Sequence, residues 1–259
     1  AIQAENANEA KTRFLFNMSH DIRTPMNAII GFTTLLEKNL ENPEKAEGYL
    51  RKIQSSSKLL LTIINQVLEM SRIESGTSVL HLEAEDLHSL FQTVSTVFES
   101  DIQKKHLQYS VHIDIQHIYA FCDKTKLQEI FLNILGNAIK YTPDNHSIHV
   151  DLRELPSQDT LKANYEFVCE DTGIGMSEDY LPHIFDEFSR EHTTTENKVV
   201  GTGLGLSIVK SMVELMDGKI RVESVRDAGT KFIVQVSLDI ASKQDVYGKK
   251  EAISFSSHS

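Results

Sequence analysis

Leu15, Met18, Ile22, Met26, Ile29, Thr33, Leu36 and Leu40 recur at spacings of three and four, which is one stripe of a long helix. The pattern predicts a helix over residues 1–40, with no Gly or Pro before Pro25. Residues 41–47 read as a polar turn holding Pro43. A second row follows at the same spacing, Leu50, Ile53, Ser57, Leu60, Ile64, Val67 and Ser71, and stops near Ser75-Gly76, where glycine suits a left-handed cap. Two helices joined by a short turn make an antiparallel hairpin. Such a hairpin buries one seam, so two copies are expected to pair as a four-helix bundle. The first domain is therefore an all-α hairpin, residues 1–76, in a homodimer.

Beyond Gly76 the period changes. Val79–Glu83 alternates weakly, as an edge strand would. Asp86 is placed to N-cap a helix from Leu87 to about Lys105, and Asp123 to cap another from Lys124 to about Tyr141. Strand-like runs occupy 107–113, 118–122, 147–155 and 162–170, a helix runs from Gly205 to about Asp217, and 219–224 with 231–238 closes as a hairpin. Short strand connections interleaved with helices predict an α+β two-layer sandwich over 77–240, with a mixed sheet and helices on one face. Residues 241–259 turn polar and Ser-rich and read as a tail or linker.

Composition narrows the classes. At 259 residues there is room for two modest cores, and a net charge of −11 argues against a nucleic-acid partner. Two isolated cysteines, Cys122 and Cys169, make neither a disulfide framework nor a metal cluster. No apolar run approaches the roughly 18 residues of a membrane span, so no membrane contact is expected of this fragment and a cytoplasmic setting is the default. The polar, helix-forming start looks like the end of a connector helix, which marks the chain as a piece of a longer protein whose anchoring is not legible here.

The candidate chemistry lies in four places. His20 precedes Ile22 by two positions, about 200° round the helix from the seam, so its imidazole points to water. Asp21 follows it, Arg23 and Thr24 lie within a turn, and Pro25 removes the helical partner of the Asp21 carbonyl, so a kink is expected there. A solitary exposed histidine is ordinarily just solvated, but this grouping of acid, hydroxyl and helix defect is unusual. On the helix after Asp123, Glu129, Asn133 and Asn137 fall four apart opposite the apolar face, with Lys140 nearby. Amide oxygens beside a phosphate-facing cation suit Mg²⁺ held together with nucleotide phosphates. Asp171-Thr-Gly-Ile-Gly ends an apolar strand, where a carboxylate can accept from an adenine amine and glycines let backbone close on a flat ligand. Finally, Gly201-Thr202-Gly203-Leu204-Gly205 leads straight into a helix, and free N–H groups there favour phosphate. It is neither a Walker A loop nor a Rossmann fingerprint.

The string SHDIRTPMNAIIG resembles the H-box of sensor histidine kinases of two-component systems. The asparagine helix, DTGIG, the IFDEF stretch at 184–188 and GTGLGL resemble, in order, the N, G1, F and G2 boxes of the GHKL ATPases. From about residue 8 to 240 the chain is similar to the kinase core of bacterial, often hybrid, sensor kinases. The resemblance implies a dimeric phosphoacceptor bundle followed by a GHKL (Bergerat) ATP-binding domain, ATP and Mg²⁺ as cofactors, and autophosphorylation of His20. Transfer to an aspartate of a response-regulator receiver domain would follow, with phosphatase action on that regulator as a second activity.

Position by position, the resemblance implies that His20 Nε2 attacks the γ-phosphate and that Asp21 orients or deprotonates the ring. Thr24 matches the phosphatase-linked position, and Glu129 a base or water-ordering group. Asn137 and Asn133 would hold Mg²⁺, and Lys140, Tyr141 and Arg190 would meet phosphates. Asp171 would bind the adenine amine, with Gly173 and Gly175 shaping the pocket, and Gly201 to Gly205 would form the lid hinge and phosphate nest. The lid, 187–200, has few apolar anchors and is expected to be ordered by the γ-phosphate. The rival class is a GHKL ATPase that hydrolyses ATP to drive conformational change; the His20 hairpin speaks against it.

Overall fold

The computed structural model describes residues 2–187, 189 and 203–248, with side chains described from Met18 onward, that of Glu74 excepted. The described residues form two compact units, one built on the helical hairpin through Ser78 and one on the sheet from Val79.

In the first unit, α1 (Ile2–Glu37) runs unbroken through Pro25, and α2 spans Pro43–Glu74. The second helix begins inside the stretch that the hydrophobic pattern assigns to the turn. The reason is local: Asn42 Oδ1 accepts from Lys45 N at 3.1 Å and Pro43 opens the first turn, where its missing N–H is no loss. Phe32 and Tyr49 stack at 6.3 Å between ring centres across the hairpin, and Ile63 and Met70 are buried. Met26, Ile30, Leu35, Leu40, Leu50, Leu61, Ile64 and Leu68 stay exposed.

The second unit is a seven-stranded mixed sheet. Its strands are β1 (Glu83–Asp86), β2 (Gln108–Asp114), β3 (Tyr119–Cys122), β4 (Ser147–Leu155), β5 (Lys162–Asp171), β6 (Lys219–Val225) and β7 (Gly229–Ile240). They lie in the order β1-β3-β7-β5-β4-β2, with β6 also paired to β7. Only β2 and β4 are parallel. The helices are α3 (Leu87–Val97), α4 (Glu99–Lys104), α5 (Lys124–Tyr141) and α6 (Gly205–Leu215), the last contributing to this unit from Val209 on. The helix expected over 87–105 is thus broken at Phe98, which ends α3 and starts α4.

The apolar face of α5, Leu127, Ile130, Phe131, Ile134, Leu135 and Ala138, is buried as its spacing predicts. Phe131 packs on Phe167 at 4.5 Å and on Phe91 at 5.7 Å, joining α5, β5 and α3 in one aromatic cluster. Asp123 caps α5, accepting from Lys126 N at 3.1 Å and also from His81 N at 3.0 Å. The weak strand predicted at 79–83 lies instead at 83–86, paired with β3. The chain does not leave the fold at Ile240. Ala241 N donates to the Tyr119 carbonyl, and a helical turn at 243–248 sets the Tyr247 ring 6.3 Å from Tyr119 and its hydroxyl 3.3 Å from Asp86 Oδ2.

Candidate nucleotide and phosphoacceptor sites

His20 projects from α1 into solvent, with 72% of its side chain accessible. Its Nδ1 lies 3.3 Å from Asp21 Oδ1, and the Asp21 side chain is largely covered. An imidazole whose Nδ1 faces a carboxylate is held in the tautomer that leaves Nε2 with its lone pair outward. Thr24 Oγ1 donates to the His20 carbonyl at 3.2 Å, one turn below the ring. Pro25 is buried although its neighbours on both sides are exposed.

The second unit gathers a different set. Along α5, Glu129, Asn133, Asn137 and Lys140 are half-buried on the side opposite the core. Asn133 Nδ2 donates back to the Glu129 carbonyl at 2.8 Å, which turns its amide oxygen outward. Lys140 Nζ sits 4.9 Å from the centre of the Tyr141 ring.

Asp171 ends β5 with 6% of its surface accessible. One carboxyl oxygen accepts from Gly173 N at 2.8 Å. Burial pushes the carboxyl up to about 6, against the pull of the Gly173 and Thr230 N–H groups and the Thr142 hydroxyl, while the Glu170 charge adds to the rise. The loop after it is tied to the end of α5: Ile174 N donates to the Tyr141 carbonyl at 3.2 Å, and a Cβ on Gly173 would come within 2.6 Å of both that oxygen and Asp171 Oδ1. Gly175 takes φ +58° and presses on the β6–β7 turn, so that a Cβ there would lie 1.9 Å from the Val225 carbonyl oxygen.

Gly203, with φ +72°, precedes the buried Leu204, and Gly205 opens α6. Ser207 Oγ donates to the Leu204 carbonyl at 2.8 Å, fixing that first turn. Arg190, Gly201 and Thr202, with most of the predicted lid, lie outside the described residues.

The donors of the second unit fit a magnesium nucleotide. They offer side-chain amides on one face of α5 and a carboxylate buried beside a close backbone turn. Two contributors escape sequence reasoning. Lys105 Nζ donates to the carbonyls of Ile139 at 2.7 Å and Thr142 at 2.6 Å, closing the C-terminal end of α5. Thr142 is fully buried beside Asp171, and its Oγ1 has no hydrogen-bond partner. Neither residue stands out in the hydrophobic pattern, since the groups that each one meets are brought close only by folding.

Comparison with known proteins bears on both sets. Residues 10–76 match the His Kinase A (phospho-acceptor) domain, and residues 122–240 match the histidine kinase-, DNA gyrase B-, and HSP90-like ATPases. The autoinducer 2 sensor kinase/phosphatase LuxQ of Vibrio parahaemolyticus is 32% identical over 236 residues, covering 90% of this chain and 27% of that protein. The chain thus spans about a quarter of the length of this curated relative. Among solved structures, full-length ShkA in complex with AMPPNP is similar at a TM-score of 0.65 and 25% identity, covering 89% of this chain and 46% of that one. The histidine kinase ThkA in complex with the response regulator protein TrrA shares the fold at a TM-score of 0.62 and 23% identity, covering 91% and 66% of the two chains. With a phospho-acceptor domain followed by an ATPase domain of this kind, the chain belongs to the sensor histidine kinases.

Proposed function

We propose that this chain is the catalytic core of a sensor kinase that transfers the γ-phosphoryl group of ATP to His20. The observation that carries the reading is His20 itself, an exposed imidazole whose Nδ1 is 3.3 Å from a largely covered carboxylate. Nε2 attacks the γ-phosphorus, an N–P bond forms, the bond to the bridging oxygen breaks, and ADP leaves with those electrons. Asp21 stabilises the positive charge that develops on the ring, while the proton remains on Nδ1. Asp171 accepts from the adenine amine, and Lys140 and Tyr141 meet phosphate oxygens. Glu129 lies on the same face of α5, where it would order water or act as a base. The oxygens of Asn137 and Asn133 would hold Mg²⁺, which supplies charge neutralisation at the phosphates when bound. Arg190 and the 201–205 glycines complete the phosphate contacts.

The phosphoryl group then passes to an aspartate of a receiver domain. The ThkA–TrrA complex supports a partner of that class. Thr24, one turn from His20, is the residue for a phosphatase reaction on the same regulator, an activity that the name of LuxQ carries. Two copies of the hairpin pair through Met26, Ile30, Leu61, Ile64 and Leu68, whose exposure on a single chain supports a homodimer. No helix among the described residues is long and apolar enough to cross a membrane, which fits a core working in the cytoplasm.

The test is incubation with γ-labelled ATP and Mg²⁺ of the native chain beside His20→Gln and Asn137→Ala. Acid-labile, base-stable label is expected on the native chain alone. Label retained by His20→Gln would overturn the acceptor assignment, and ATP hydrolysis without label would favour the rival ATPase.

A further inference from the structure

Among the described residues, Thr142 Oγ1 is the one buried side-chain oxygen or nitrogen left without a partner. A buried hydroxyl in that state has lost its water and gained nothing in return. Its position is specific. Thr142 follows α5 directly and is fully buried. A Cβ on Gly173 would lie 2.6 Å from both Asp171 Oδ1 and the Tyr141 carbonyl, so the carboxyl and the peptide that leads into Thr142 meet in one corner of the fold, with no hydrogen bond to the Thr142 hydroxyl. The backbone around it is fixed on both sides: Thr142 N donates to the Ala138 carbonyl at 3.0 Å, and the Thr142 carbonyl accepts from Lys105 Nζ at 2.6 Å. Only rotation of the side chain is free to improve the contact.

We propose that Thr142 is a positioning residue for Asp171: a rotation of its side chain lets the hydroxyl donate to the carboxylate and aim it at the base of the bound nucleotide. The proposal rests on the reading of Asp171 as the adenine contact. One carboxyl oxygen already accepts from Gly173 N. To accept from an exocyclic amine, the group must be charged or must offer its carbonyl oxygen in one orientation. Around it stand the Glu170 carboxylate, which opposes ionisation, and the buried Cys169 thiol, itself pushed up by burial and by Asp171. The Lys105 ammonium is spent on backbone carbonyls. Thr142 is therefore the side-chain donor on the side of α5 that can offset the burial of this charge.

The test is calorimetric binding of a non-hydrolysable ATP analogue with Mg²⁺ to the full chain, from pH 5.5 to 8.5, for native protein, Thr142→Val, Thr142→Ser and Asp171→Asn. Native affinity should fall on acidification near pH 6. In Thr142→Val, which keeps the shape and removes the donor, the midpoint should rise by about one pH unit, the worth of one hydrogen bond to a charged group. Affinity should then drop about threefold at pH 6.5 and little at pH 8.5, and Thr142→Ser should restore the native profile. If Thr142→Val weakens binding equally at every pH, or Thr142→Ser does not restore the midpoint, the positioning role is wrong while the nucleotide reading stands. If Asp171→Asn binds as tightly as the native chain, the adenine assignment itself fails.

Discussion

Lys105 is the place to perturb the nucleotide unit without touching a proposed ligand. Its ammonium lies 2.7 Å from the Ile139 carbonyl, 2.6 Å from that of Thr142 and 3.4 Å from that of Lys140, at the end of the helix that carries Lys140 and Tyr141. These carbonyls have no helical partner of their own, and the negative end of the helix dipole falls there. Lys105→Met keeps the apolar stem and removes the charge. Each of the two short bonds is charge-assisted and worth about 1.5–3 kcal/mol. Water can replace part of that at a half-buried site, and freeing the lysine stem returns up to about 2 kcal/mol of rotamer entropy. A net loss of about 2 kcal/mol remains, a fall of about 4–8 °C in melting temperature for a unit of this size. Tyrosine fluorescence reads it directly: the chain has no tryptophan, and Tyr49 alone among its tyrosines precedes Val79. Lys104→Met is the control, since Lys104 makes only an exposed contact of 3.4 Å with Asp101. If Lys105→Met melts with the Lys104 variant, the charged cap contributes nothing and the argument is refuted.

Two further outcomes follow from the same unit. Asp171 ionises near pH 6 instead of 3.8, so its buried charge opposes folding by about 3 kcal/mol at neutral pH. Because the folded-state value is the higher one, this penalty fades as pH falls through 6 towards 4. Asp171→Asn should therefore raise the melting temperature at pH 8 while losing nucleotide affinity, and the gain should vanish by about pH 4; a variant no more stable at pH 8 would contradict this. Gly175→Ala places a methyl group on the Val225 carbonyl in a left-handed backbone, and should destabilise the unit by about 3 kcal/mol or more in urea titration. A loss under about 1 kcal/mol would mean that the loop can shift freely.

How much of this was legible in the chain depends on where the information lies. α5 and its Asp123 cap follow from the sequence because the cap, the apolar spacing and the polar row all belong to one continuous segment. The same holds for His20, whose exposure follows from its angle to the seam. The start of α2 was hidden because Asn42-Pro43 looks like a turn and acts as a helix cap. The break at Phe98 has no Gly or Pro to announce it. Lys105 and Thr142 were illegible for a deeper reason: they do their work on groups 34 to 37 and 29 positions away, and no local pattern encodes such a meeting.

The turn at 243–248 has a mechanical consequence. β1, by which the chain enters the sheet unit, pairs with β3, and Ala241, just past the last strand, donates its N–H to the carbonyl of Tyr119 on that same strand. Tyr247 then reaches back to Asp86, the residue that caps α3. The entering strand and the last turn are buttoned together. Tension on the entering chain is therefore borne first by this seam, two strands away from β5, which carries Asp171.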